Sequence, residues 1–377
     1  NKTKSLIYTL SFSTLAYTIS GTPFVDHHAA FFLLLSTYFI ILALNFPEKN
    51  YLWIFIVMLF FLSFLSKQVP TAYVIISQGA VLLYFFLKTK KVNVIKIISF
   101  SLIFFSIFFL LFLMFLKIDL KLFYTQYIDY PRTIGFDRYD NFEKSFEIFF
   151  NQYKFLFLPI ILILIIKIKK FKNKKLVFSL KEIIVFMILI MFSMSLLFHQ
   201  IMTRNQIFIY FLIPILLGFL DSEIKVSNIK YNKYFSIILI IFTIFITLKY
   251  HYRFNETRKF HELEKIDLGN SVPAYRISES LKGLRWITPS FQDDPSKEIS
   301  ILKKTKNKIE KINHEIMFIT HYLFLDSIIT KKLNSPSRTF TLDGASIPIR
   351  GHRFYPNYKR FLTQKIRNNN IKEIYFL

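Results

Sequence analysis

The sequence predicts an all-α polytopic membrane protein of about nine transmembrane helices, followed by a small C-terminal α/β domain on the extracytoplasmic side. Three observations carry this. The 377-residue chain is 53% hydrophobic, with 47 Phe and a mean hydropathy of +0.39. Apolar runs approaching the roughly 20 residues that cross a bilayer recur through its first two thirds. From about residue 250 the composition turns mixed, polar and charged.

Read between charged breaks, the crossings fall at approximately 5–20, 28–45, 51–66, 70–87, 95–117, 154–167, 181–198, 204–220 and 234–249. The run from Tyr51 to Leu87 is too long for one crossing, because at 1.5 Å per residue it would reach about 55 Å. Lys67, Gln68 and Pro70 interrupt it, so it divides into two helices joined by a tight turn. Residues 1–249 form the expected transmembrane domain, and residues 118–153 a long external loop.

The formal net charge of +25 would suit nucleic acid in a soluble protein. Here the basic residues lie largely in short breaks between apolar runs, where they set topology, so no nucleic-acid partner is expected. With the Lys88–Lys91 and Lys167–Lys175 breaks in the cytoplasm, Lys2, Lys4, Lys49, Lys225, Lys230 and Lys233 fall there too. That parity turns Asp26-His27-His28, the Lys67-Gln68 turn, loop 118–153, the segment from His199 to Arg204 and the tail to the outside. Cysteine is absent, which excludes disulfides, thiolate metal sites and a cysteine nucleophile.

In the tail, residues 250–377, the segments Arg285–Thr288, Glu315–Thr320, Arg338–Leu342 and Ile371–Leu377 read as strands of a largely parallel sheet. Helices are expected from Pro295, with Asp294 as N-cap, and over about 321–333 and 355–369. Asp343-Gly344 reads as a turn, and no Gly-rich phosphate loop is present. An accessory or docking role suits this tail better than a second active site.

Chemistry concentrates at the predicted external ends. Asp26, His27 and His28 sit at the mouth of a membrane helix, where ionisable groups are costly unless paired or functional. An acid with imidazoles can hold a divalent ion or orient a phosphate. A plainer alternative makes Asp26 a helix N-cap with both histidines in the headgroup layer, and from these residues alone both stay open. Lys67 and Gln68 occupy a hairpin where Gly, Asn or Ser would be ordinary; an ammonium there suits a phosphate, or it snorkels outward. Arg204 stands at the outer end of a 14-residue apolar stretch, Ile207–Leu220, and offers a fork for phosphate oxygens, with an exposed loop arginine as the competing reading. Loop 118–153 brings Tyr124, Tyr127 and Tyr130 together with Asp129 and Asp137, aromatic faces and carboxylates suited to sugar rings; an amphipathic helix on the membrane surface is the alternative.

This layout resembles the GT-C superfamily of integral membrane glycosyltransferases: protein O-mannosyltransferases, lipid A aminoarabinose transferases and oligosaccharyltransferase catalytic subunits. Asp26-His27-His28 resembles the acidic residue those proteins keep at the external start of a helix, in a form closest to archaeal oligosaccharyltransferases. Phe64-Leu65-Ser66-Lys67-Gln68 resembles a turn of bacterial members. The resemblance implies a polyprenyl-phosphate-linked sugar donor in the bacterial inner membrane and an extracytoplasmic acceptor, which would be a glycolipid, a glycan or a protein. By it, Asp26 is catalytic and, with His27 or His28, contacts a metal or the donor phosphate, which Lys67, Gln68 and Arg204 also bind. Tyr124, Tyr127, Tyr130, Asp129 and Asp137 contact sugar or acceptor, and a divalent metal ion at Asp26 and His28 is allowed. The family's first catalytic acid lies between its first and second spans, whereas this chain opens with what resembles the third, so an N-terminal truncation is expected.

Two other classes compete. A transporter or flippase of lipid-linked saccharide would be expected to show inverted repeats and paired broken helices, which the sequence lacks. A surface-polysaccharide polymerase or ligase would carry an Arg-rich external loop, and loop 118–153 has only Arg132 and Arg138.

Overall fold

The computed structural model describes residues 2–17, 24–134, 142–172, 179–203, 209–226, 232–257, 263–337 and 347–377, and all their side chains except those of 134, 142–148, 171–172 and 232. It divides into two compact units. One comprises Asn1–Tyr124 and Gly135–His261; the other comprises Thr125–Ile134 and Glu262–Leu377.

The first unit is helical. Its elements are α1 (Lys2–Leu15), α2 (Val25–Asn45), α3 (Asn50–Ser66), α4 (Gln68–Thr89), α5 (Val92–Phe115), the short α6 (Leu120–Tyr124), and later α8 (Phe142–Lys172), α9 (Leu180–Thr203), α10 (Leu212–Val226) and α11 (Asn232–His251). Six stretches among the described residues are long and apolar enough to cross a membrane: α2, α4, α5, Phe149–Lys170, α9 and Lys233–Thr257. Helix α3, at 17 residues, is apolar but shorter. At 1.5 Å per residue, α1 and α10 each reach just over 20 Å. The chain is thus a mostly helical protein of membrane type. Lys67 separates α3 from α4 with an extended backbone, φ −156° and ψ 127°. Helix α11 continues through a π-helical turn, Tyr252–Thr257.

Sequence composition decides what each helix faces. Helix α5 is apolar all round and leaves Phe100, Ile103, Phe104, Phe108 and Phe115 more than half exposed. In water that would be a severe liability, whereas lipid tails are as apolar as the residues themselves. The interior holds helices together by close packing and by hydrogen bonds between them, since burial in lipid adds little hydrophobic drive. Phe192, Leu196, Tyr210, Phe211, Leu216 and Ile246 belong to its larger cluster. Tyr210 stacks on Tyr250 at 3.9 Å and receives a hydrogen bond from Gln152 Nε2 at 3.1 Å, which ties α8 and α11 to the start of α10.

The second unit contains the π-helical turn Thr125–Asp129, α7 (Tyr130–Ile134), α12 (Pro295–Glu310), α13 (Leu325–Ile328) and α14 (Tyr355–Asn368). Its strands form two separate ladders. Strand β1 (Val272–Pro273) pairs antiparallel with β2 (Arg285–Trp286), and β3 (Ile316–Ile319) pairs parallel with β4 (Glu373–Phe376). The largely parallel sheet is therefore corrected to one two-stranded parallel ladder beside a short antiparallel one among the described residues. Arg338–Leu342 lies outside them. The helix expected over 321–333 shrinks to the single turn α13. From Ile329 the backbone is extended, φ −103° and ψ 130°, and Phe318 N donates to Leu333 O at 2.9 Å, so this stretch runs beside β3 instead. Helix α12 starts as expected, with Asp294 accepting from Lys297 N at 3.1 Å and Pro295 in its first turn. Ile277, Leu302, Ile316, Phe318 and Leu325 form the core of this unit.

Candidate functional site

Asp26 lies in the first turn of α2, where the partial positive charge of a helix N-terminus favours a carboxylate. Phe24, not Asp26, occupies the N-cap position, with φ −99° and ψ 165°. The carboxylate turns into the bundle, and the residue is 6% exposed. Lys67 Nζ stands 3.3 Å from its Oδ2, and His199 Nε2, in the last turns of α9, stands 3.6 Å from its Oδ1. Three segments distant in sequence therefore meet at one carboxylate: the start of α2, the α3–α4 turn and the end of α9.

Polar contacts beneath the carboxylate hold these segments in place. Ser63 Oγ lies 3.0 Å from Ala29 O, three residues beyond Asp26, and 2.6 Å from Thr71 Oγ1. Thr71 Oγ1 donates to Lys67 O at 2.8 Å, which fixes the turn that presents the ammonium. One layer deeper, Gln78 Nε2 donates to Thr37 Oγ1 and to Ile188 O, at 3.0 and 3.2 Å, while Ser77 and Ser195 hydroxyls meet at 3.0 Å. Each of these is a polar side chain inside an apolar helix, and such groups join helices where no water competes. They set the register of α9 against α2 and α4, and with it the position of His199.

The other anticipated residues fall out differently. His27 is 2% exposed, with Tyr17, Phe24 and Phe31 rings at 5.2, 5.9 and 6.2 Å, and its Nδ1 accepts from Phe24 N at 3.4 Å. Aromatic packing and a backbone contact at the helix start surround this ring. His28 is exposed. Two residues apart on a helix, Asp26 and His28 face different directions. Lys67 supplies the cation beside Asp26. Among the described residues no group of three or more His, Asp or Glu gathers that could hold a metal ion. Gln68 opens α4, beside Lys67 and partly exposed. Arg204 and Asp137 lie outside the described residues.

The described residues of loop 118–153 are largely helical, and the loop is shared between the units. Tyr124 ends α6 in the helical unit and is exposed. Tyr127, Asp129 and Tyr130 belong with the tail. There Asp129 Oδ1 is 3.9 Å from Arg353 Nη2, and Tyr130 meets His352 and Phe354 edge-on at 5.7 and 6.0 Å. Burial pushes the Tyr127 phenol up to about 12. Among the described residues of this set, Tyr124 shares a unit with Asp26.

His199 was absent from the set of anticipated ligands, although it stands in a segment that charge parity turned to the same side as Asp26. A histidine near the end of an apolar helix was the available signal. What the cluster offers chemically is a buried carboxylate with an ammonium on one oxygen and an imidazole near the other, able to accept a proton beside a fixed positive charge. Compared with family models, with curated proteins and with solved structures, the chain matches none.

Proposed function

We propose that this chain is a membrane glycosyltransferase of GT-C type, with about nine crossings, which moves a sugar from a polyprenyl phosphate to an extracytoplasmic acceptor. It would sit in the bacterial inner membrane with its C-terminal unit outside. The observation that supports this reading best is the buried Asp26 carboxylate flanked by Lys67 at 3.3 Å and His199 at 3.6 Å. In the proposed step an acceptor hydroxyl oxygen attacks the anomeric carbon as the bond from that carbon to the phosphate oxygen breaks. Asp26 takes the hydroxyl proton, and the polyprenyl phosphate leaves with its negative charge facing the Lys67 ammonium. General-base help of this kind is worth about 100- to 10,000-fold, and a fixed cation at a leaving anion about 100- to 1,000-fold.

The test uses the full chain in proteoliposomes containing radiolabelled polyprenyl-phosphate hexoses and pentoses, with acceptor glycolipid. Transfer should yield free polyprenyl phosphate and a new glycoside in equal amounts. Movement of intact lipid-linked sugar between leaflets, without any new glycosidic bond, would replace this reading with a flippase.

A further inference from the structure

The two carboxylate oxygens of Asp26 are held from different sides. Lys67 reaches Oδ2 from a turn, on a flexible stem whose side chain is 34% exposed. Facing Oδ1 is His199 Nε2, from a rigid helix, and both His199 and Gln200 are fully buried. On the far side of the imidazole, Gln200 Nε2 stands 3.2 Å from His199 Nδ1. An amide NH2 is a donor only, so with this nitrogen facing the ring, Nδ1 offers its lone pair and the ring proton sits on Nε2, the nitrogen nearest Asp26 Oδ1.

We infer that His199 is a positioning residue: Gln200 fixes its neutral Nε2–H tautomer, and the N–H steers the Asp26 carboxylate. This rests on the reading of Asp26 as the reacting group. At 3.6 Å the contact is longer than a hydrogen bond, and catalytic contacts in ligand-free sites are commonly loose and tighten when the substrate is bound. A neutral donor suits this place. It orients one oxygen without adding a second positive charge, so Lys67 remains the cation for the leaving phosphate. Without it only Lys67 holds the carboxylate, which can then turn about its Cβ–Cγ bond, and misplacement of a reacting atom by about 1 Å costs about 100-fold in rate.

The full chain, labelled with 15N-histidine and reconstituted in bilayers, tests the tautomer without any donor. The His199 signals, identified by their loss in His199→Gln, should show an unprotonated Nδ1 and a protonated Nε2; the reverse pattern overturns the inference. The second arm measures transfer from radiolabelled polyprenyl-phosphate hexose. His199→Gln, whose amide nitrogen reaches the place of Nε2, should retain most turnover. His199→Asn, whose amide reaches only the place of Nδ1, should lose about 100-fold in kcat with little change in KM. Equal losses in both, accompanied by a lowered unfolding temperature, would mark His199 as merely structural and overturn the inference. If His199→Asn turns over normally while Asp26→Asn does not, the inference falls and the proposed function stands. If Asp26→Asn turns over normally, the proposed function falls and takes the inference with it.

Discussion

Two carboxylates of the helical unit, Asp26 and Glu223, have side chains 9% and 13% exposed, yet their surroundings differ. Glu223, near the end of α10, faces two ammonium groups of α8, Lys167 at 2.8 Å and Lys170 at 3.5 Å. Its neighbour Asp221 receives Lys4 of α1 at 3.3 Å, and Lys4 also bonds Ser236 on α11. That end of the bundle is a set of ion pairs tying α1, α8, α10 and α11 together. Asp26 lies near the other end of α1, with one ammonium at 3.3 Å and one imidazole at 3.6 Å. Both exceed the 2.7–2.9 Å of a tight charge-assisted bond. Its Oδ1 is buried and has no hydrogen bond among the described residues. Such a group costs stability, and under-satisfied polar atoms of this kind concentrate where a protein does chemistry. One carboxylate takes two ammonium groups on a single oxygen, Oε2, and locks helices; the other is held partly bonded.

The largest effect should separate them outright. Asp26→Asn is expected to reduce sugar transfer about 1,000-fold while the protein still inserts in the membrane and unfolds at its usual temperature. Lys67→Met should follow, with a loss of about 100-fold in kcat, and Lys67→Arg should recover part of it by restoring the charge. Glu223→Gln should do the opposite. Turnover per folded molecule stays at the wild-type value, while thermal inactivation shows a stability loss of roughly 1–3 kcal/mol, because two lysines lose their shared counter-charge.

A third carboxylate sharpens the comparison. Glu298 in the tail unit is 1% exposed and is fully bonded by neutral donors: Trp286 Nε1, Thr288 Oγ1 and Tyr322 OH, each at 2.8 Å. Burial, then the bond to Glu298, pushes the Tyr322 phenol up to about 12. A raised pKa means that folding favours the protonated phenol. Its contribution is therefore complete below pH 10 and disappears as pH rises through about 12. Trp286 fluorescence, in a Trp53→Phe background, should report loosening of this unit across that window, and Tyr322→Phe should weaken the dependence, leaving the share of Tyr127 in the same unit. The smallest effect belongs to His28→Ala. That residue is exposed and turned away from Asp26, so transfer should stay within about twofold of wild type.

Local chemistry in the sequence predicted much of the helical frame. Lys67, Gln68 and Pro70 located the α3–α4 break, and Asp294-Pro295 located the start of α12, because caps and breaks depend on neighbouring residues. The approach of Lys67 to Asp26 could be anticipated only as a shared side, through the parity of spans and the distribution of lysines. The same parity puts His199 on that side, but its pairing with Asp26 depends on the register of α9 against α2, which Gln78, Ser77 and Ser195 set across long stretches of chain. Nor did the sequence reveal that Asp129 and Tyr130 pack with Arg353, His352 and Phe354. Aromatic and acidic composition in a loop suggests what it can bind and is silent on which unit holds it.

A double-mutant cycle on transfer rate, with Asp26→Asn, Lys67→Met and the pair together, tests most directly whether these side chains form one site. If they act as a unit on the same reacting atoms, the double variant should be no slower than Asp26→Asn, about 1,000-fold below wild type. Losses that multiply to about 100,000-fold would mean that the two act independently, and the convergence at Asp26 would then have no part in the chemistry.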